Sequence, residues 1–162
     1  MGKIAKNHKT FFYEILHMKR KLVSFVISAV ILMVLLPAGF AFSKKIQWYS
    51  HDEGIANGYS EGKRIYINFY ADWCVYCKVM EKKTFQNPAV ISYLNKHFIS
   101  IKVDTEKETK ITYKYGVSAL PDNWFLFKNG DPIGRRKGYI DPDTFMKILK
   151  SIQEDMGEKK KD

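Results

Sequence analysis

Tyr70-Ala71-Asp72-Trp73-Cys74-Val75-Tyr76-Cys77-Lys78 holds the chain's only two cysteines, two residues apart. The run before it, Arg64-Ile65-Tyr66-Ile67-Asn68-Phe69-Tyr70, is rich in β-branched and aromatic residues and reads as a central strand. The run after it, Cys74 to Thr84, reads as a helix with Val75, Val79 and Lys82-Lys83 divided between two faces. A cysteine at a helix N-terminus meets unpaired backbone N–H groups and the positive end of the helix dipole. Such a site lowers a thiol pKa from about 8.5 to roughly 3.5–7.5. Cys74 is therefore the expected nucleophile. Cys77, one turn deeper and expected to be more buried, is the resolving thiol. Disulfide exchange is the first reading of this spacing.

Working outward, Ile46-Gln47-Trp48-Tyr49 is a short candidate strand, and Asp52 to Ser60 a weak helix that Gly54 and Gly58 count against. Glu61-Gly62-Lys63 is a turn. Downstream, Asn87 caps a helix with Pro88 in its first turn, and Ile91, Leu94 and Phe98 supply its apolar side. Phe98 to Val103 alternates as a second strand. Glu106 to Tyr115 is a helix stopped by Gly116. Trp124 to Phe127 is a third strand, Lys128-Asn129-Gly130-Asp131 a hairpin, and Pro132 to Lys137 the return strand. Asp141 to Ile152 carries Phe145, Ile148, Leu149 and Ile152 on one stripe. Phe69, Trp124, Phe125 and Phe127 read as core residues. The order β-α-β-α-β-α-β-β-α predicts an α/β domain, a mixed sheet with helices on both faces.

The 162 residues carry a net charge of +10. Residues 1–41 hold six basic side chains against Glu14 alone, and the remainder holds 21 basic and 16 acidic side chains mixed in sign. Short basic runs such as Arg135-Arg136-Lys137 read as a solvated surface, and no nucleic-acid motif is present. Lys19-Arg20-Lys21 precedes fifteen uncharged residues, Leu22 to Leu36, and then Gly39 and Ala41 at signal-cleavage spacing. Met18 suits the start of a leader of ordinary proportions. The alternative is an uncleaved membrane anchor, since extension to Phe42 gives twenty-one residues against the about 20 that a span needs. Either reading places Phe42 onward outside the cytoplasm, where disulfides form. The expected organisation is a leader or anchor over 1–41, one domain over 42–155 and a charged tail over 156–162.

Taken together, Trp73-Cys74-Val75-Tyr76-Cys77-Lys78, the later Val117-Ser118-Ala119-Leu120-Pro121 and the hairpin Lys128-Asn129-Gly130 resemble the thioredoxin superfamily in that order. The run through Glu81-Lys82-Lys83-Thr84-Phe85 looks most like the C-terminal periplasmic domain of DsbD-type thiol:disulfide interchange proteins. The resemblance covers about residues 46–152 and implies a thioredoxin fold. It also implies a cis Pro121 facing the cysteines, which would set the backbone of Leu120 beside them as a docking edge for an extended substrate segment. Trp73 would cover the site and shape the docking surface; plain core packing is its alternative. Two positions depart from the pattern. Asn68 stands where thioredoxins carry a buried Asp that exchanges protons with the second cysteine, and Glu81, one turn after Cys77, is the candidate to take that role. Asp122 follows Pro121 where Thr is common, and is expected to add negative charge beside the active-site face.

Other uses of a cysteine pair are less favourable here. A disulfide that closes so short a loop removes little chain entropy and is a poor staple. Zinc needs four ligands, and His8, His17, His51 and His97 show no ligand spacing, so no metal is expected. Covalent haem attachment requires His where Lys78 stands. The expectation is thus an exported, monomeric protein-disulfide reductase with no cofactor beyond a redox-active Cys74–Cys77 pair. Its partners would be disulfide-containing envelope proteins or apocytochrome c and a membrane thiol-electron donor. It would work in the periplasm or on the extracytoplasmic face of the inner membrane. A membrane-anchored cytochrome c maturation thioredoxin, or a non-catalytic thioredoxin-fold binding or chaperone module, are the alternatives.

Overall fold

The computed structural model describes residues 17–27 and 45–154. The chain divides into two units between Ala41 and Phe42. In the first, residues 17–27 are helical (α1). Among the described residues no helix is long and apolar enough to cross a membrane. Most of the apolar run Leu22 to Leu36, the residues Gly39 and Ala41, and the tail from residue 155 lie outside the described residues.

The second unit runs β1 (Trp48–Tyr49), α2 (His51–Glu61), β2 (Arg64–Tyr70), α3 (Val75–Lys83), α4 (Pro88–His97), β3 (Phe98–Asp104), α5 (Thr109–Lys114), β4 (Asp122–Leu126), β5 (Pro132–Lys137) and α6 (Pro142–Glu154). The strands form one sheet in the order β1-β3-β2-β4-β5. β3 is parallel to both β1 and β2, while β4 is antiparallel to β2 and to β5. The mixed sheet expected from the element order is present.

Strand alternation separates two cores. Tyr66 and Phe125 pack with Met80 of α3, Leu94 of α4 and Phe145 and Leu149 of α6 on one face. Ile65, Ile67 and Phe69 pack with Ile101 and Val103 on the other, against Ile55 of α2 and Tyr115 after α5. Gly54 and Gly58, which weakened the expectation of α2, prove necessary to it. A Cβ at either position would lie under 3.0 Å from Ile101 or Ile65, so the helix packs closely on those sheet side chains. Intrinsic propensity yields here to tertiary contact.

Two elements differ clearly from expectation. α5 begins at Thr109 rather than Glu106, because the Asp104 carboxylate accepts the N–H groups of Glu106 (3.0 Å) and Lys107 (3.4 Å) and holds a turn there. Its end is as expected: Gly116 has φ +57° and Val117 N–H bonds back to Thr112 O at 3.2 Å. β4 starts at Asp122, directly after Pro121, and stops at Leu126. Phe127 is therefore not a core residue but 36% exposed in the hairpin, where its N–H bonds Asp131 O at 2.8 Å. α4 begins as expected, with the Asn87 side chain accepting from Ala89 N–H at 2.9 Å.

Candidate active site

β2 ends at Tyr70, and four residues later the chain enters α3 with Cys74 as its N-cap. Cys74 and Cys77 are joined as a disulfide with Cα atoms 5.2 Å apart. Cys74 Sγ accepts the Cys77 N–H at 3.1 Å, one of the donors a helix start leaves open. A thiolate formed at Cys74 by reduction meets the same donor. The expected contrast in burial is not found. Cys74 is 4% exposed and Cys77 8%, and both pack in one small buried cluster with Ala71.

Around the pair lie Ala71, Tyr70 and Leu120. The Leu120–Pro121 peptide is cis. Pro121 C=O accepts the Gly138 N–H at 2.7 Å. Among the described residues the backbone of Leu120 takes part in no hydrogen bond. Trp73, Val75 and Tyr76, which flank the cysteines in sequence, are 67%, 70% and 64% exposed. Core packing is thereby excluded for Trp73, and an apolar rim borders the disulfide.

Glu81 does not stand free. Its carboxylate accepts from Lys102 Nζ at 2.6 Å, and the two side chains are 45% and 24% exposed. Lys102 lies opposite Asn68 on β3, with its ammonium 4.7 Å from the Tyr70 ring centre and 5.5 Å from that of Trp48. Asn68 is 2% exposed and donates from Nδ2 to Asn123 Oδ1 at 3.1 Å. The same oxygen accepts the Tyr66 hydroxyl at 2.6 Å, and Asn123 Nδ2 donates to the carbonyls of Arg136 (3.0 Å) and Gly138 (3.1 Å). Burial pushes the Tyr66 pKa well above 10.0; the neighbouring Asn68 amide pulls it down and the Glu81 charge pushes it further up. Tyr66 thus stays a neutral donor. The carboxylate expected by family pattern is replaced by a closed neutral network.

Asp122 departs most from expectation. It presents no charge to the active-site face, since it is fully buried and its carboxylate is held by Arg135. Arg135 Nε donates to both carboxylate oxygens at 2.9 and 3.0 Å, and Nη2 makes a further, short bond. Nη2 also reaches Gly116 O at 2.9 Å, and the guanidinium lies 4.8 Å over the Trp124 ring. The basic run at 135–137 is therefore not one solvated surface: alternation along β5 turns Arg135 inward and leaves Arg136 exposed.

Lys102, Asn123 and Arg135 were not singled out from sequence. Lys102 had a signal, as the one charged residue within the alternating stretch Phe98 to Val103. Arg135 had none, because its partners lie 13 and 19 residues away. His51 bonds Asp52 Oδ1 (2.9 Å) and the Tyr115 hydroxyl (3.3 Å), and the His97 ring lies 4.5 Å from that of Tyr93.

This sheet, with a disulfide at the start of the helix after its central strand, has the architecture of a thioredoxin fold. The chain belongs to the thioredoxin-like domain family, whose model matches residues 52–153. It is 32% identical over 96 residues to the thiol:disulfide interchange protein DsbD of Vibrio vulnificus (strain CMCP6), a match covering 56% of this chain and 16% of that one. It is 33% identical over 112 residues to chloroplastic thioredoxin Y of Oryza sativa subsp. japonica, covering 69% of this chain and 62% of the relative. The chain therefore spans only a small part of the DsbD relative's length. Among solved structures, a thioredoxin from Thermus thermophilus superposes with a TM-score of 0.61 at 23% identity over 67% of this chain and 87% of that one. The DsbH oxidoreductase does so with a TM-score of 0.59 at 20% identity over 72% and 90%. These two likenesses concern the fold. Family and cysteine pair together fit thiol–disulfide oxidoreductase activity in general.

Proposed function

We propose that this protein is an extracytoplasmic protein-disulfide reductase acting on envelope proteins or apocytochrome c. The observation that carries the reading is the Cys74–Cys77 pair at the start of α3, packed against Leu120 whose backbone is free to pair. In the reduced form the Cys74 thiolate attacks one sulfur of a partner disulfide and expels the other as thiolate. Cys77, deprotonated, then attacks Cys74 Sγ. The Cys74–Cys77 disulfide forms and the second partner thiol leaves. Two electrons and two protons have passed to the partner, and a dithiol donor at the membrane returns them to the pair.

An extended segment of the partner pairs with the Leu120 backbone as an added strand, and Trp73 borders it. Glu81 exchanges the Cys77 proton, with Lys102 holding its carboxylate in place. The reductive direction draws support from the likeness to DsbD, and the location from that likeness and from the basic, then apolar, leader. Insulin reduction driven by dithiothreitol tests the enzyme: Cys74→Ser abolishes it, and undiminished turnover in that variant defeats the proposal. Equilibration of the pair with glutathione tests the direction. A potential near about −270 mV supports a reductase, and one near about −120 mV an oxidant.

A further inference from the structure

The segment 116–121 joins α5 to β4 and carries Leu120 against the cysteines. Its first residue, Gly116, and the residue that follows it, Asp122, are bonded to the same side chain. We infer that Arg135 is a positioning residue, a clamp that fixes the docking edge at Leu120 relative to Cys74 and so sets how tightly a protein disulfide is held. This inference rests on the function proposed above and adds a residue to it.

One planar guanidinium spans both ends of the segment. Nε and Nη2 hold the Asp122 carboxylate at the start of β4, and Nη2 holds Gly116 O at the end of α5. Trp124, directly across from Arg135 in the β4–β5 register, supplies a ring for the guanidinium to lie on. Lys137 Nζ donates to Ser118 Oγ at 2.8 Å, which ties the middle of the segment to the same strand. Between these ties, Ser118, Ala119 and Leu120 make no backbone hydrogen bond among the described residues. Apart from the helix-end bonds of the Gly116 and Val117 N–H groups and the Pro121–Gly138 bond, the segment's polar anchoring comes from side chains of β5, an edge strand outside the cluster around the cysteines. An ammonium cannot replace it, since Lys offers one point of charge where the clamp needs a fork reaching two places. Loosening the segment displaces the Leu120 backbone and weakens the added-strand pairing on which binding of an extended partner rests.

The experiment is steady-state reduction of insulin and of a small aromatic disulfide by wild type and Arg135→Lys, with the pair's potential measured alongside. For Arg135→Lys the KM for insulin rises about tenfold while kcat stays within twofold. Turnover of the small disulfide, which needs only the sulfurs, stays within twofold, and the potential is unchanged. If Arg135→Lys does not fold, the double variant Asp122→Ala/Arg135→Met removes the clamp without leaving a buried charge, and the same pattern is expected. An insulin KM within twofold of wild type in a folded variant overturns the clamp, as does an equal loss on both disulfides. Wild-type protein that fails to reduce insulin overturns the functional reading itself; wild-type activity with an unmoved KM in the variant overturns the clamp alone.

Discussion

Asn68 and Phe69 are neighbours on β2, and their partners across β4, Asn123 and Asp122, are neighbours as well. Alternation sends the two polar partners to opposite faces of the sheet. On the α3 face, beneath the helix that carries Cys77, Asn123 joins Asn68 and Tyr66 in a network without charge. On the other face Asp122 is an ion, held by Arg135. Both sites are buried, yet one is built from amides and a phenol and the other from full charges. The charges on the α3 face, Glu81 and Lys102, are partly exposed and paired with each other. The contrast teaches that burial alone does not decide how a polar site is built here: the Asn68–Asn123 site is satisfied by neutral groups. The Asp122–Arg135 pair instead holds the segment opposite the cysteines.

The largest effect expected from breaking this arrangement comes from Arg135→Met. It leaves Asp122 buried and unpaired, and stability falls by about 3 kcal/mol, the lower end of the usual range because Arg135 is 25% exposed. Urea unfolding at pH 7 measures it, and Asp122→Ala in the same background restores most of the loss. A cost below about 1 kcal/mol would show the two faces to be energetically alike.

Asn68→Asp carries a charge to the neutral face. Burial raises the new carboxyl's pKa above its unfolded value, because Lys102 across the strand pair is already bonded to Glu81. The folded state then binds more protons than the unfolded one, so stability declines as pH rises from about 4 toward 7, by about 1.4 kcal/mol for each unit of elevation. Unfolding curves across that range that run parallel to wild type would refute the view of this face as closed to charge.

Asp104, at the end of β3, provides the opposite sign and the smallest effect. Its carboxyl lies below its ordinary pKa of 3.8, chiefly through Lys107 and then through the N–H groups it accepts, with burial opposing. Its contribution is complete above 3.8 and is lost as pH falls through the lowered value. Asp104→Ala costs about 1 kcal/mol at pH 7, as the loss of a cap does. The difference from wild type, followed by chemical denaturation, shrinks on acidification; a difference that grows instead would reverse the assignment.

Much of the fold was legible because it rests on local pattern. The apolar run Ile65 to Tyr70, the alternation after Phe98, the Asn87-Pro88 helix start and the stripe from Phe145 to Ile152 each specify an element from neighbouring residues. The errors fell where a side chain overruled the pattern: Asp104 delaying α5, and the hairpin claiming Phe127. Gly54 and Gly58 argued against a helix until the sheet showed why no Cβ fits there. In the site, the spacing of Cys74 and Cys77 marked the pair that the structure joins as a disulfide, and Leu120-Pro121 the cis peptide that packs beside it.

Sequence alone thus determined the family, the two sulfurs and the absence of an acid at residue 68, since each depends on residue identity and short spacing. Tertiary structure alone decided where the charges went. Asp122 looked like charge beside the active site and is a buried partner of Arg135; Arg135 looked like part of a solvated run. Glu81 looked like the candidate proton exchanger for Cys77 and is bonded to Lys102. A side chain's charge can be read from its letter. Whether that charge meets water, a thiol or a counter-ion depends on groups brought together from distant points of the chain, and local pattern does not encode that distance.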